Sequence, residues 1–309
     1  MKLGIVVVYL LKKNAGPLLE LHLDRIARHT SVPYTIYGAP LRLKPRFREV
    51  LEQHPNVRLV DIPVIEEPRI SREHAYYLDA LVRAAMDDGV THVCVLHVDS
   101  FPVRDGWAED LASHVNDSCI GAAVFRAENG DRVLPMPAGF LFSRQFQEQV
   151  QPRFFVSREV AKSAEYKQFM QEFDAEVDSG IGYAYEIYRR GLHWHRLLRS
   201  NQHNDHYLMA GVYGDTFFHL GAAARKARFR GDYEGPEVPP ALQWWQWLDD
   251  ARESLPESLY ESLQSKLPLR DTVVGDIKAR NDAAFAGIFE RLLREPDQYI
   301  ELLRSGLRS

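Results

Sequence analysis

The sequence predicts an α/β fold: a mixed, mainly parallel sheet flanked by helices, with a helical appendage at its C-terminal end. Three observations carry this. Residues 3–10 (L-G-I-V-V-V-Y-L) form an apolar, β-branched run of the kind that fills a parallel strand buried on both faces. Short apolar runs then alternate with stretches of helical periodicity, the rhythm of a right-handed, mainly parallel sheet. From about Gly235 the composition shifts: Pro236, Pro239 and Pro240 interrupt the chain, and helical spacing continues from there to the end.

Taken in order, the first strand is followed by a helix from Ala15. Asn14 is its candidate cap, Pro17 sits in the first turn, and Leu18, Leu21, Leu23, Ile26 and Ala27 form its buried face. Residues 34–37 make a short second strand ended by Gly38. Residues 57–64 make a third, with Pro63 marking an edge or an end. A helix over 71–86 follows, where Ala75, Leu78, Leu81, Val82 and Ala85 repeat at helical spacing.

Residues 92–98 are a buried strand, and Asp99 closes it. A carboxylate has no place in a sheet interior, so Asp99 belongs where the strand leaves the sheet, the lip at which α/β sheets bind ligands. Capping of the next turn is the other role open to it. Pro102 and Gly106 turn the chain into a helical run, 107–115. A strand over 119–125, a polar turn at Glu128, Asn129, Gly130 and Asp131, and an apolar strand after Gly139 complete this half. Asp178 precedes a helix that runs from Ile181 to Tyr188 and ends at Gly191, so a helix cap is one reading of it. Residues 217–221 read as a short strand ending on His219 and Gly221.

With 309 residues the chain accommodates one large domain or two modest ones, divided here as 1–234 and 235–309. A formal charge of -5 offers no basic field for nucleic acid and no polybasic membrane patch. Cys94 and Cys119, two in all, are too few for a disulfide scaffold and suit a reducing cytoplasm. The apolar stretch 3–11 is short for a secretory signal, and Lys12 and Lys13 lie on its wrong side. No run approaches the roughly 18 apolar residues of a membrane span, so a soluble, cytoplasmic protein is expected. The tryptophans at 244, 245 and 247 open the C-terminal helical region, where they pack in a core or stack on a bound sugar ring. That region is expected to pack on the core of residues 1–234 or on a second subunit of a homo-oligomer.

The string L-H-V-D-S-F-P-V-R-D-G-W over 96–107 resembles the metal- and nucleotide-binding strand end of GT-A (Rossmann-like) glycosyltransferases. That family usually reads hydrophobic-Asp-x-Asp-x-x-Pro; here Asp99 matches the second acid and His97 stands in place of the first. The resemblance covers 1–234 and is closest in style to family 2-like sequences. It implies a nucleotide-sugar donor, a glycan or small-molecule acceptor, and a divalent cation, Mn2+ or Mg2+. Imidazole at position 97 favours Mn2+. By the same resemblance Asp99, His219 and His97 are metal ligands. Val8, Tyr9, Arg69, Ser71, Arg72, His74, His97, Val98, Asp99, Gly139 and Arg225 line the nucleotide or sugar, Gly139 as part of a small-residue loop. Asp178 is the base of an inverting reaction, with Asp174 and Glu176 as competitors.

His203 and His206 are a further His-x-x-His pair. Two other classes stand beside a transferase. One is an inactive GT-A-like binding or assembly module, because the first acid is missing. The other, a sugar-nucleotide pyrophosphorylase, lacks its Gly-rich N-terminal loop here.

Overall fold

A computed structural model describes residues 1–11, 15–65, 70–221, 244–245, 247–248, 251, 255–267 and 270–307. The strands are β1 (Leu3–Val8), β2 (Tyr34–Ala39), β3 (Val57–Leu59), β4 (His92–Leu96), β5 (Ser100–Pro102), β6 (Cys119–Val124), β7 (Met136–Ser143), β8 (His193–Leu197), β9 (Gly211–Tyr213) and β10 (Phe217–His219). The helices are α1 (Gly16–His29), α2 (Pro45–Gln53), α3 (Ile70–Asp87), α4 (Trp107–Ser113), α5 (Arg144–Val150), α6 (Arg158–Lys162), α7 (Ala164–Glu172) and α8 (Ile181–Arg189). Beyond them come α9 (Glu257–Gln264), α10 (Arg270–Arg294) and α11 (Pro296–Ser305).

The main sheet has seven strands in the order β3-β2-β1-β4-β7-β6-β8. All neighbours are parallel except β7, which runs antiparallel to both β4 and β6. This is the mixed, mainly parallel α/β architecture the sequence predicts. Side chains of β1 alternate between two cores: Leu3, Ile5 and Val7 point to one, Val6 and Val8 to the other. A sheet covered on both faces needs such an apolar run on its central strands.

A second, antiparallel sheet has three strands, β5-β10-β9. Its apolar face meets α1 and the last two helices: Phe101, Val212 and Phe218 share one cluster with Leu18, Ile288, Tyr299 and Leu303. The C-terminal helices α10 and α11 therefore pack on α1 and the small sheet of the same chain. Asp297, at the start of α11, adds ion pairs to Arg25 at 2.6 Å and Arg28 at 3.0 Å. The tryptophans divide. Trp245 is buried with Leu248 and Tyr260, while Trp244 and Trp247 are 57% and 49% exposed.

Several element bounds differ from expectation for physical reasons. The second strand runs through Gly38 to Ala39, because a Cβ at Gly38 would stand 2.8 Å from the Tyr9 ring and its absence lets that ring lie against the strand. The third strand stops at Leu59, well short of Val64, which is exposed. The fourth ends at Leu96, which leaves His97 and Asp99 in the turn beyond it. Gly139 lies inside β7 and not in a loop, and a Cβ there would stand 2.6 Å from the Phe217 ring. Strand β8 (H-W-H-R-L) has polar residues on its exposed side and no run to announce it. Asn14 lies outside the described residues.

Candidate active site

The turn after β4 is closed by its own backbone and by one serine. His97 N–H donates to Ser100 Oγ at 2.9 Å, and Ser100 N–H donates to the His97 carbonyl at 3.0 Å. Ser100 then enters β5, whose register with β10 sets Ser100 opposite His219. The Asp99 carbonyl also accepts from Leu220 N–H at 2.9 Å. Antiparallel pairing thus carries a residue more than a hundred positions downstream to the side of Asp99, with His219 Nε2 3.7 Å from Asp99 Oδ1. His97, Asp99 and His219 offer ligand atoms within 4.8 Å of one another.

Two nitrogens and a carboxylate oxygen make a donor set suited to a borderline transition-metal ion. Atoms bound at about 2.1 Å to one ion lie at most about 4.2 Å apart, so the cluster needs only a slight contraction to hold one. Asp99 and His219 are buried. The His97 imidazole is held well below its ordinary pKa, first by burial and then by His74 and His219 beside it. It is neutral, as a ligand must be.

The second half of the site comes from the start of α3 and the loop before α8. Asp178 Oδ1 accepts from Ser71 Oγ at 2.7 Å and from Ser179 N–H at 2.7 Å. Ser179 Oγ donates to the Ser71 carbonyl at 3.0 Å and meets His74 Nδ1 at 3.1 Å. The His74 ring packs edge-on against His97, with centroids 5.2 Å apart, and His97 packs against His219 at 5.6 Å. Burial lowers the His74 pKa to about 4, partly opposed by the nearby Asp178 charge. Asp178, two serines and three imidazoles therefore form one continuous polar array.

Asp178 is not the cap of α8. That position belongs to Gly180, in the left-handed region at φ 104, and the helix starts at Ile181. A Cβ on Gly180 would come within 2.9 Å of the Pro135 carbonyl oxygen. The close approach fixes the loop that aims Asp178 at α3. Of the competing carboxylates, Asp174 and Glu176 are exposed, whereas Asp178 is half-buried.

The remaining expected residues are placed as follows. Val8, Tyr9 and Val98 are buried in the cores. The Tyr9 hydroxyl has no partner among the described residues, and its ring meets His22 edge-on at 5.9 Å. Arg72 lies over the Phe155 ring at 4.9 Å. Arg69 and Arg225 lie outside the described residues. His203 and His206 are tied to the C-terminal helices. Asp205, which accepts from His203 at 3.1 Å, also accepts from Arg291 and from the Tyr299 hydroxyl, both at 2.9 Å. His206 meets Asn281 at 3.2 Å. Neither joins the His97 cluster.

Two polar residues, one half-buried and one buried, escaped the sequence reading. Arg126 makes a two-pronged pair with Asp131 at 2.8 and 3.1 Å, and its charge reaches both His97 and Asp178. Burial works against that charge, but Asp131 outweighs it and raises the Arg126 pKa. On α1, His22 donates through Nδ1 to the Ser100 carbonyl at 2.9 Å. The clue to Arg126 was an arginine five positions before an aspartate at a strand end. For His22 the only clue was its place on the apolar face of α1.

No family model and no curated protein matches the chain. Solved structures similar to it include three glycosyltransferases. Mouse xyloside xylosyltransferase 1, in its apo form, is 10% identical with a TM-score of 0.41, over 63% of this chain and 85% of that one. The mannosyltransferase PcManGT from Pyrobaculum calidifontis, in complex with GDP-Man and Mn2+, is 13% identical with a TM-score of 0.41, over 96% and 84%. The glycosyltransferase GlyE of Streptococcus pneumoniae TIGR4 is 16% identical with a TM-score of 0.36, over 64% and 45%.

Proposed function

We propose that this chain is a glycosyltransferase that moves a sugar from a nucleotide diphosphate sugar to an acceptor hydroxyl with inversion at the anomeric carbon. The observation that carries the reading is the joining of two kinds of group in one array: a His97–Asp99–His219 cluster beyond a sheet strand, and a carboxylate, Asp178, anchored beside it. The strand-end motif around Asp99 supports it independently. The cluster would hold a divalent cation, Mn2+ in preference to Mg2+, which neutralises the charge on a departing diphosphate.

The residues of this chain divide the rest of the work. The start of α3 offers backbone N–H groups to phosphate oxygens, with Arg72 and the half-buried Arg126 adding positive charge. Asp178 has Oδ1 engaged twice, while Oδ2 has no hydrogen bond to any described residue. That oxygen takes the acceptor proton as the hydroxyl attacks, a role worth about 10²- to 10⁴-fold in rate. The acceptor is a glycan or a small molecule. The same resemblance to GT-A enzymes extends over residues 1–234, with the remaining chain as a helical appendage.

The test is turnover of UDP-, GDP- and dTDP-sugars with Mn2+, with Mg2+ or with EDTA, followed by NMR of the product's anomeric configuration. Metal-dependent turnover of one donor with inversion is expected. Retention of configuration removes Asp178 as base. One observation favours a second reading: His97 replaces the first acid of the family motif. A protein that binds a donor tightly and turns over none of them is the inactive binding module.

A further inference from the structure

We propose that His74 is a fourth ligand of the cation, so that the centre is built from three imidazoles and one carboxylate and selects Co2+, Mn2+ or Zn2+ over Mg2+. The inference rests on the reading of His97, Asp99 and His219 as metal ligands, and not on the transferase reaction.

The first argument is spacing. Two imidazoles bound through nitrogen to one tetrahedral ion at about 2.1 Å have ring centres roughly 5 Å apart. The rings of His74 and His97 stand 5.2 Å apart, and those of His97 and His219 5.6 Å. His97 thus stands at about the separation of neighbouring ligands from both His74 and His219. His74 stands one ring spacing outside the tight cluster of the other three. It would join them by a shift of its ring toward His97 that keeps the Ser179 contact.

The second argument is the tautomer. Ser179 Oγ spends its one hydrogen on the Ser71 carbonyl at 3.0 Å, so toward His74 Nδ1, at 3.1 Å, it acts as acceptor. His74 therefore carries its proton on Nδ1 and keeps the Nε2 lone pair, which has no hydrogen-bond partner among the described residues. A histidine that donates one ring N–H to a fixed acceptor and leaves the other nitrogen bare is in the form metal-bound histidines take. Nitrogen-rich sets suit borderline transition ions, while Mg2+ seeks oxygen.

The experiment is a Co2+ titration of the full chain without nucleotide, followed by visible absorption and calorimetry, on wild type, His74→Phe and Ser179→Ala. Wild type is expected to bind Co2+ with ligand-field bands that 10 mM Mg2+ does not displace (about 10 mM, a large excess). His74→Phe should bind at least about 10-fold more weakly and with altered bands. Ser179→Ala, which removes only the support, should fall between them. If wild type and His74→Phe bind with equal affinity and equal spectra, His74 is no ligand. Should His74→Phe fail to fold, unchanged affinity in Ser179→Ala overturns the proposal instead. A wild type that takes up no ion removes the whole centre, His74 included. Donor turnover is read separately, so its failure leaves these outcomes interpretable.

Discussion

Ser71 and Asp178, 107 positions apart, share a hydrogen bond of 2.7 Å that joins the first turn of α3 to the loop before α8. The bond holds one carboxylate oxygen and leaves the other without a hydrogen bond to any described residue. Asp178→Asn keeps an oxygen able to accept from Ser71 and Ser179, so stability should fall by no more than about 1 kcal/mol. Turnover should fall by about 10²- to 10⁴-fold with donor binding nearly intact. A variant retaining more than about a tenth of wild-type turnover places the base elsewhere.

Asp99→Ala should weaken nucleotide diphosphate binding strongly in Mn2+ and little in EDTA, because the side chain acts on the phosphates through the cation. Calorimetry in the two buffers reads this directly. Equal losses in both reduce Asp99 to a turn residue.

His97→Asp should move metal preference from Mn2+ toward Mg2+, since a hard oxygen replaces an imidazole. The new acid enters a half-buried position between His74 and His219. Melting in EDTA should therefore drop below wild type and recover on adding Mg2+. Unchanged preference with lowered stability would mean that His97 only packs.

Gly180→Ala forces a side chain into the left-handed region and against the Pro135 carbonyl oxygen. The expected cost is about 1 to 3 kcal/mol of stability, measured by urea unfolding. Turnover should fall further than that loss explains, because the same loop aims Asp178.

Asp79 predicts a pH dependence. Burial raises its pKa from 3.8 to about 7, although Phe154 N–H donates to it at 2.9 Å. The folded chain thus keeps a proton that the unfolded chain releases above 3.8. Its stabilising contribution is complete below that pH and is lost as pH rises toward 7. Asp79→Asn, which still accepts from Phe154, should be more stable than wild type at pH 8, by up to about 4 kcal/mol for a difference of this size. The gain should vanish near pH 4, as urea midpoints at the two pH values would show.

The parts of this molecule legible in sequence are those written locally. The β1 run, the helical period of α3 and the exit of Asp99 from its strand each follow from a few neighbouring residues. His219 was recognisable by its order along the chain and its glycine. Asp178 was singled out, but the cap position it suggested belongs to Gly180. A helix cap is the local meaning of Asp-Ser-Gly, whereas its anchor, Ser71, lies across the fold. Arg126 and His22 were invisible for the same cause: a buried polar side chain makes sense only with its partner, and Ser100 shares no local pattern with His22. Gly139 misled because a glycine that admits the Phe217 ring has the same letters around it as a glycine in a loop.

His97 follows a strand of the large sheet, and His219 ends a strand of the small one. An ion gripped by both would be a rivet between the two sheets. Whatever binds the folded chain alone stabilises it by mass action, about 2.7 kcal/mol at a hundred times the dissociation constant. The melting temperature should therefore climb with Mn2+ concentration, and because the small sheet shares its core with α10 and α11, the C-terminal helices should feel the rivet too.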